Sequence, residues 1–332
     1  MKVLVIANYK KSIGGISGQV EVLLENFNND KIKFNLFNTK ASNFCRLLSP
    51  FKLLIKGLKY DIFHIHGCSF KGFFPIILGV IIGKVLNKKT IITYHGGGLQ
   101  DFLDKHTRLI KYFLSKADII TVPSEFLQDI LGKYSLNSIL LPNVIREDNV
   151  EFKKRDIIRP YITVTRSLEA VYNIPLVIEA FMEIKKKYKN AKLCIIGDGS
   201  LKEKLKNKVK VLGIKDIEFV GKVKNSEIGK ELNKSDIFIN PTTKDSFSVS
   251  MFEAFACGLP VISTNVGAIP NYLIDGENGM LIDPGSVEQL ISKIEYILGN
   301  QVDTQIIIAN AYKALQKYTL RNLKNKYIEI YK

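Results

Sequence analysis

The chain has 332 residues, 46% apolar and 24% charged, with a formal net charge of +16. This describes globular domains with sizeable cores and excludes a disordered chain or a low-complexity array. The four cysteines (45, 68, 194, 257) are scattered without a Cys-x-x-Cys pair, which points to a reducing, cytoplasmic setting and away from a zinc site or a disulfide framework. The charge fits a nucleic acid, an anionic membrane, an anionic substrate or a lysine-rich solvated surface. No nucleic-acid motif accompanies it, so nucleic acid ranks last.

The chain opens on Met1-Lys-Val-Leu-Val-Ile-Ala7, which fits a first buried strand better than a signal peptide. A loop containing Gly14-Gly15 follows, and then a helix from Gln19 to Phe27. Strand, glycine loop and helix allow backbone amides to close on an anion, although a plain tight turn explains the glycines equally. Between residues 31 and 60 stand Lys31, Lys33, Lys40, Arg46, Lys52, Lys56 and Lys59 without one acid. Within this region, Arg46 to Lys59 alternates leucine and lysine at near-helical spacing. It reads either as an ordinary amphipathic helix with its leucines on the core or as a basic helix lying on an anionic membrane.

Asp61-Ile-Phe-His64-Ile-His66-Gly67 reads as a strand whose two histidines share a face, as packing residues more readily than metal ligands. The apolar run from Gly72 to Gly83 is too short to span a bilayer, which takes about 20 residues, and reads as a core helix. Thr90 to Tyr94 is a strand ending in His95-Gly-Gly-Gly98. A histidine at such an edge either caps the strand or faces a ligand. Ala117 to Val122 and the helix capped by Ser124 complete the first half, which closes at Leu140 to Val144. The charged, aperiodic stretch from Ile145 to Arg159, ahead of Pro160, reads as the interdomain connection, with the linker set at 151–160.

The second half starts over with the strand Tyr161 to Thr165 and Arg166 at its end. Strands at Lys192 to Ile196, Glu218 to Gly221 and Asp236 to Asn240 alternate with helices. Alternation through both halves predicts two doubly wound parallel sheets. The division is 1–150 for a first Rossmann-like domain, 161–310 for a second, and 311–332 for a basic terminal helix.

The sharpest pattern is Asp245-Ser-Phe-Ser-Val-Ser-Met-Phe-Glu253-Ala-Phe-Ala-Cys-Gly-Leu-Pro-Val-Ile262. Ser248 reads as the N-cap of a helix from Val249 to Cys257, placed after a strand, where open α/β sheets bind ligands. Two carboxylates with seven residues between them frame the loop. Glu253 inside an apolar helix either pairs with a neighbour or accepts hydrogen bonds from sugar hydroxyls.

This stretch resembles the donor-binding signature of family-four retaining glycosyltransferases, with Asp245 where the family usually has Glu and Ser246-Phe247-Ser248 where it has Gly-Phe-Gly. The resemblance implies the GT-B architecture: two Rossmann-like domains facing across a cleft, with the terminal helix crossing back to the first. It further implies donor contacts at Gly14, Gly15, Arg166, Asp245, Ser246, Phe247, Ser248, Val249 and Glu253. Glu253 would hold the ribose, Arg166 the diphosphate, Asp245 the sugar, and His95 a sugar hydroxyl from the first domain. A family lysine about five residues after Arg166 has no counterpart in Ala170-Val-Tyr-Asn173, and Lys222 is the substitute considered. No Asp-x-Asp motif is present, in keeping with a metal-independent enzyme.

The expected activity is transfer of a sugar with retention, from a nucleotide sugar and without a cofactor, UDP being favoured over GDP. The acceptor would be a saccharide, lipid-linked in cell-envelope polysaccharide synthesis, with the enzyme cytoplasmic and peripheral on the inner membrane face through residues 31–60. The alternatives are a sugar-nucleotide epimerase or phosphorylase on the same plan, and a non-catalytic sugar- or nucleic-acid-binding protein. A dinucleotide oxidoreductase suffers from the wrong glycine spacing.

Overall fold

The structure, a computed structural model, describes residues 1–12, 14–29, 31–40 and 48–332. Arg46 and Cys45 lie outside the described residues, and Cys68, Cys194 and Cys257 are free thiols. The chain divides into two units, one of residues 1–144 with 320–332 and one of residues 145–319.

In the first unit, β1 (Lys2–Ala7), β2 (Lys33–Asn38), β3 (Ile62–Gly67), β4 (Lys89–Tyr94), β5 (Ile119–Val122) and β6 (Ile139–Leu140) form one parallel sheet in the order β2-β1-β3-β4-β5-β6. The helices α1 (Gly15–Asn26), α2 (Ser49–Gly57), α3 (Phe74–Val85), α4 (Leu99–Ser115) and α5 (Glu125–Lys133) connect the strands. Val3 to Ala7 are wholly buried, as continuous apolar runs in parallel sheets require. The order reverses between β1 and β3, so the loop after β1 and His66 at the end of β3 stand at the switch point, where such sheets bind ligands.

The terminal segment belongs to this unit from Leu320 onward. Its helix, Leu320–Glu329, buries Leu323 and Tyr327. The Tyr327 hydroxyl donates to the Pro142 carbonyl at 2.9 Å, and the Tyr331 hydroxyl meets His64 Nδ1 at 2.6 Å. The crossing segment therefore starts at 320 rather than at 311: residues 311–319 stay with the second unit, where Ala311 and Leu315 are buried.

The second unit contains β7 (Tyr161–Thr165), β8 (Lys192–Ile196), β9 (Ile217–Gly221), β10 (Ile237–Asn240), β11 (Val261–Thr264) and β12 (Met280–Ile282), all parallel, in the order β12-β11-β10-β7-β8-β9. Its helices are α6 (Ile174–Lys187), α7 (Lys202–Val211), α8 (Ile228–Leu232), α9 (Val249–Ala256), α10 (Val287–Gly299) and α11 (Gln301–Leu315). This order reverses between β7 and β10, and that switch point carries Arg166 and Asn240.

The stretch expected to be a linker is part of this unit. Arg155 is 4% exposed; its guanidinium donates to the carbonyls of Lys153 at 2.8 Å and Cys257 at 2.7 Å and pairs with Asp236 at 3.2 Å. Arg159 pairs with the same carboxylate at 2.6 Å. Two of the charges that made 145–159 look solvated, Arg155 and Arg159, attach it to the fold, while Lys154 and Asp156 are exposed. Among the described residues, no helix is long and apolar enough to cross a membrane.

Candidate active site

Arg166 leaves the carboxyl end of β7 and is pinned along one side. Its Nε and Nη2 donate to Asn240 Oδ1 at 2.9 and 2.6 Å, and Nη2 also reaches Asp245 Oδ2 at 2.8 Å and the Ser248 hydroxyl. Nη1 has no hydrogen-bond partner among the described residues, so one edge of the fork is uncommitted. Asn240 is fully buried; its amide nitrogen donates to Ser263 Oγ at 2.9 Å, tying β10 to β11. The segment where the family lysine is missing forms a short turn, and its Tyr172 ring lies 5.4 Å from the Arg166 guanidinium.

Asp245 is buried with both oxygens engaged, Oδ2 by Arg166 and Oδ1 by the Phe247 amide at 3.0 Å. Its backbone is fixed by the turn after β11. The Ala268 amide donates to the Asp245 carbonyl at 3.1 Å, and Gly267, at φ +56°, passes so close that a Cβ there would lie 2.1 Å from the same oxygen. Gly197 presses on Arg166 in the same way: a Cβ would lie 1.9 Å from the Arg166 carbonyl.

Three expected roles change. Ser248 occupies the N-cap position of α9, but its hydroxyl is taken by Arg166 and Asn240 and makes no cap bond. The Phe247 side chain is a core group, stacked on Phe252 at 4.9 Å and edge-on to Tyr272 and Tyr318, so it does not line a ligand site. The amides of Phe247 and Val249 are spent on Asp245 Oδ1 and the Phe247 carbonyl, which removes both from a diphosphate cradle. Lys222 follows the end of β9, with its ammonium 3.6 Å from Asp198.

Glu253 sits one turn into α9, half-buried, and its carboxylate has no hydrogen-bond or ion-pair partner among the described residues. Loss of hydration pushes its pKa up to about 7, with the Arg166 charge opposing the rise. An anchored arginine with one uncommitted edge and a carboxylate unpartnered among the described residues offer a cation and an acceptor to a ligand carrying both anionic and hydroxyl groups.

In the first unit, Gly14 caps α1 at φ +89°, and Gly15 opens the helix; a Cβ on either would meet nothing within 4 Å. The preceding loop is held by Glu21, which accepts from the Tyr9 hydroxyl at 2.9 Å and the Ser12 amide at 2.5 Å. His95 Nε2 meets His66 Nδ1 at 2.9 Å, and His64 Nε2 meets Thr93 Oγ1 at 2.7 Å. Burial lowers His95 to about 4 and His64 to about 3, so both rings are neutral near pH 7. The histidines form a hydrogen-bonded, stacked row, and among the described residues no group of three or more His, Cys, Asp or Glu side chains could hold a metal ion. Asn240, Tyr172, Ser263 and Gly267 were not singled out from the sequence. The one available signal was Asn240, a polar residue closing the apolar run Ile237-Phe-Ile.

Two parallel, doubly wound six-stranded sheets are the GT-B architecture. Residues 146–314 match the family profile of glycosyl transferases group 1, and residues 15–148 match that of glycosyltransferase family 4. The chain belongs to the glycosyl transferases group 1 family. An uncharacterized glycosyltransferase of Methanocaldococcus jannaschii is 23% identical over 96% of this chain and 94% of its own length. The alpha-monoglucosyldiacylglycerol synthase of Acholeplasma laidlawii is 31% identical over 42% of this chain, which spans 35% of that relative. The fold matches Anabaena HepE, solved in complex with UDP and glucose, at a TM-score of 0.83 and 16% identity over 99% of both chains.

Proposed function

We propose that the chain transfers a sugar, with retention and without a metal, from a UDP-sugar to a hydroxyl of a lipid-linked saccharide in cell-envelope polysaccharide synthesis, working at the inner face of the membrane. The supporting observation is the unpartnered Glu253 carboxylate beside the half-engaged Arg166 at the switch point of the second sheet. Glu253 accepts the ribose hydroxyls, and the uncommitted edge of Arg166 binds the diphosphate. Asp245, with both oxygens committed, holds Arg166 in place instead of reaching the sugar directly.

In the reaction, the bond from the anomeric carbon to the diphosphate oxygen breaks. The acceptor oxygen bonds that carbon on the same face, and its proton passes to the departing diphosphate. The family resemblance supports retention and the saccharide acceptor; the relative named as a glycolipid synthase supports a lipid-linked one.

The test is to incubate the purified chain with UDP-sugars and a lipid extract in excess EDTA and to determine the product's anomeric configuration by NMR. An α-linked product from an α-linked donor, formed at full rate in EDTA, supports the reading. An inverted product, or activity restored only by a divalent cation, overturns it.

A further inference from the structure

The first unit carries an exposed face whose chemistry the donor site does not use. Helix α2 contains no acid, and its inner side is set by Leu53, fully buried, and by Gly57, where a Cβ would lie 2.6 Å from the Phe63 ring. Its outer side is apolar. Phe51, Ile55 and Leu58 are 67%, 70% and 63% exposed, at a spacing that lines them along one stripe. Lys52, Lys56 and Lys59 alternate with them and are exposed as well, Lys56 Nζ also donating to the Leu36 carbonyl at 2.9 Å. Helix α3 packs beside α2 and adds Ile81 and Val85, 47% and 67% exposed. The two helices are joined where Lys88 Nζ reaches the Leu58 carbonyl at 3.5 Å.

A water-facing helix ordinarily turns its charges out and its large apolar groups in. Here Leu53 and Gly57 are buried and Leu54 packs partly buried on the core, whereas Phe51, Ile55 and Leu58 face outward among lysines. Apolar groups set between cations suit an interface with hydrocarbon below and negative charge at its surface. A protein partner would have to supply acids between apolar pockets at each lysine; an anionic bilayer supplies both everywhere.

We infer that the outer face of α2, extended by Ile81 and Val85 of α3, docks on an anionic phospholipid bilayer, with Phe51, Ile55 and Leu58 entering the headgroup boundary and Lys52, Lys56 and Lys59 lying on the lipid charges. This deepens the membrane-facing part of the function proposed above. Its test needs no turnover, so either can fail without the other.

The test uses the full chain, which contains no tryptophan, and its Phe51→Trp variant as a fluorescent reporter. Vesicles are phosphatidylcholine alone or mixed with phosphatidylglycerol, and binding is read by co-sedimentation. Binding to the mixed vesicles is expected, falling with salt, together with a blue shift of the reporter's indole emission and its quenching by brominated lipid. Lys52→Gln, Lys56→Gln and Lys59→Gln combined lower the partition coefficient on the order of 100-fold, about fivefold for each lysine. Phe51→Ser, Ile55→Ser and Leu58→Ser combined abolish binding while circular dichroism is unchanged. Equal binding to both vesicle types, an aqueous indole spectrum in the bound reporter variant, or no binding overturns the inference. So does a dimer in analytical ultracentrifugation that the three serines dissolve, because the face would then belong to a second copy.

Discussion

Glu253 is a partly desolvated carboxylate without a hydrogen-bond or ion-pair partner among the described residues, and that condition has consequences for stability and for binding. Its pKa of about 7 lies above the ordinary carboxylate value, so between those two values the folded chain binds more protons than the unfolded chain. Stability is therefore lost as the pH rises through this window. Glu253→Gln removes the penalty, and thermal melts will show the variant more stable than the native chain at pH 8, on the order of 2 kcal/mol, and equal to it at pH 4. The same variant loses donor binding, since an amide cannot replace a carboxylate accepting two hydroxyls.

Asp245 has the opposite economy. Asp245→Asn leaves Arg166 facing Asn240 and Ser248 without a counter-charge, and denaturant melts will show a loss of about 3 kcal/mol. An unchanged midpoint would mean that the Arg166–Asp245 pair contributes nothing to the fold.

At the scale of elements, the loops around the donor site are fixed by backbone contact. Gly267→Ala places a methyl 2.1 Å from the Asp245 carbonyl at a positive φ, so displacement of the 245–248 loop is expected. Nucleotide binding by calorimetry should fall at least tenfold; wild-type affinity would show that the loop tolerates the shift. The strands were legible because buried parallel strands read as apolar runs, and Asp245 to Ile262 was legible because its acids interrupt one. The arrangement around Arg166 was not. Asn240, Ser263 and Tyr172 lie far from one another in sequence, and only the pairing of β10 with β7 and β11 joins them. The segment 145–159 misled because a buried arginine and a solvated one are the same letter. Helix α2 was open to two readings; Leu53 goes to the core, and Phe51, Ile55 and Leu58 are exposed.

For the whole molecule, the terminal segment and the histidine row make the first unit sensitive to acid. His64 and His95 are depressed by burial to about 3 and about 4, below their unfolded value of 6.5, so the folded unit binds fewer protons. Its stability is complete above pH 6.5 and falls as the pH drops toward 4. Tyr331→Phe leaves the buried His64 Nδ1 unpaired, and melts at pH 7.5 should show a loss of about 1–3 kcal/mol. A neutral result would mean that the tail is held by its aromatic packing on Phe27 and Phe34 alone.

Everything proposed for the second unit turns on its binding a nucleotide sugar through Glu253 and Arg166 and on the enzyme turning that donor over. The direct measurement is nucleotide release from a panel of UDP-, GDP-, ADP- and CMP-sugars, with and without a membrane extract, for the native chain and Glu253→Ala. Release from a UDP-sugar, stimulated by the extract, is expected, with a fall of at least 100-fold in the variant. Release that Glu253→Ala leaves intact, or no release and no binding from any donor by a folded chain, would contradict it.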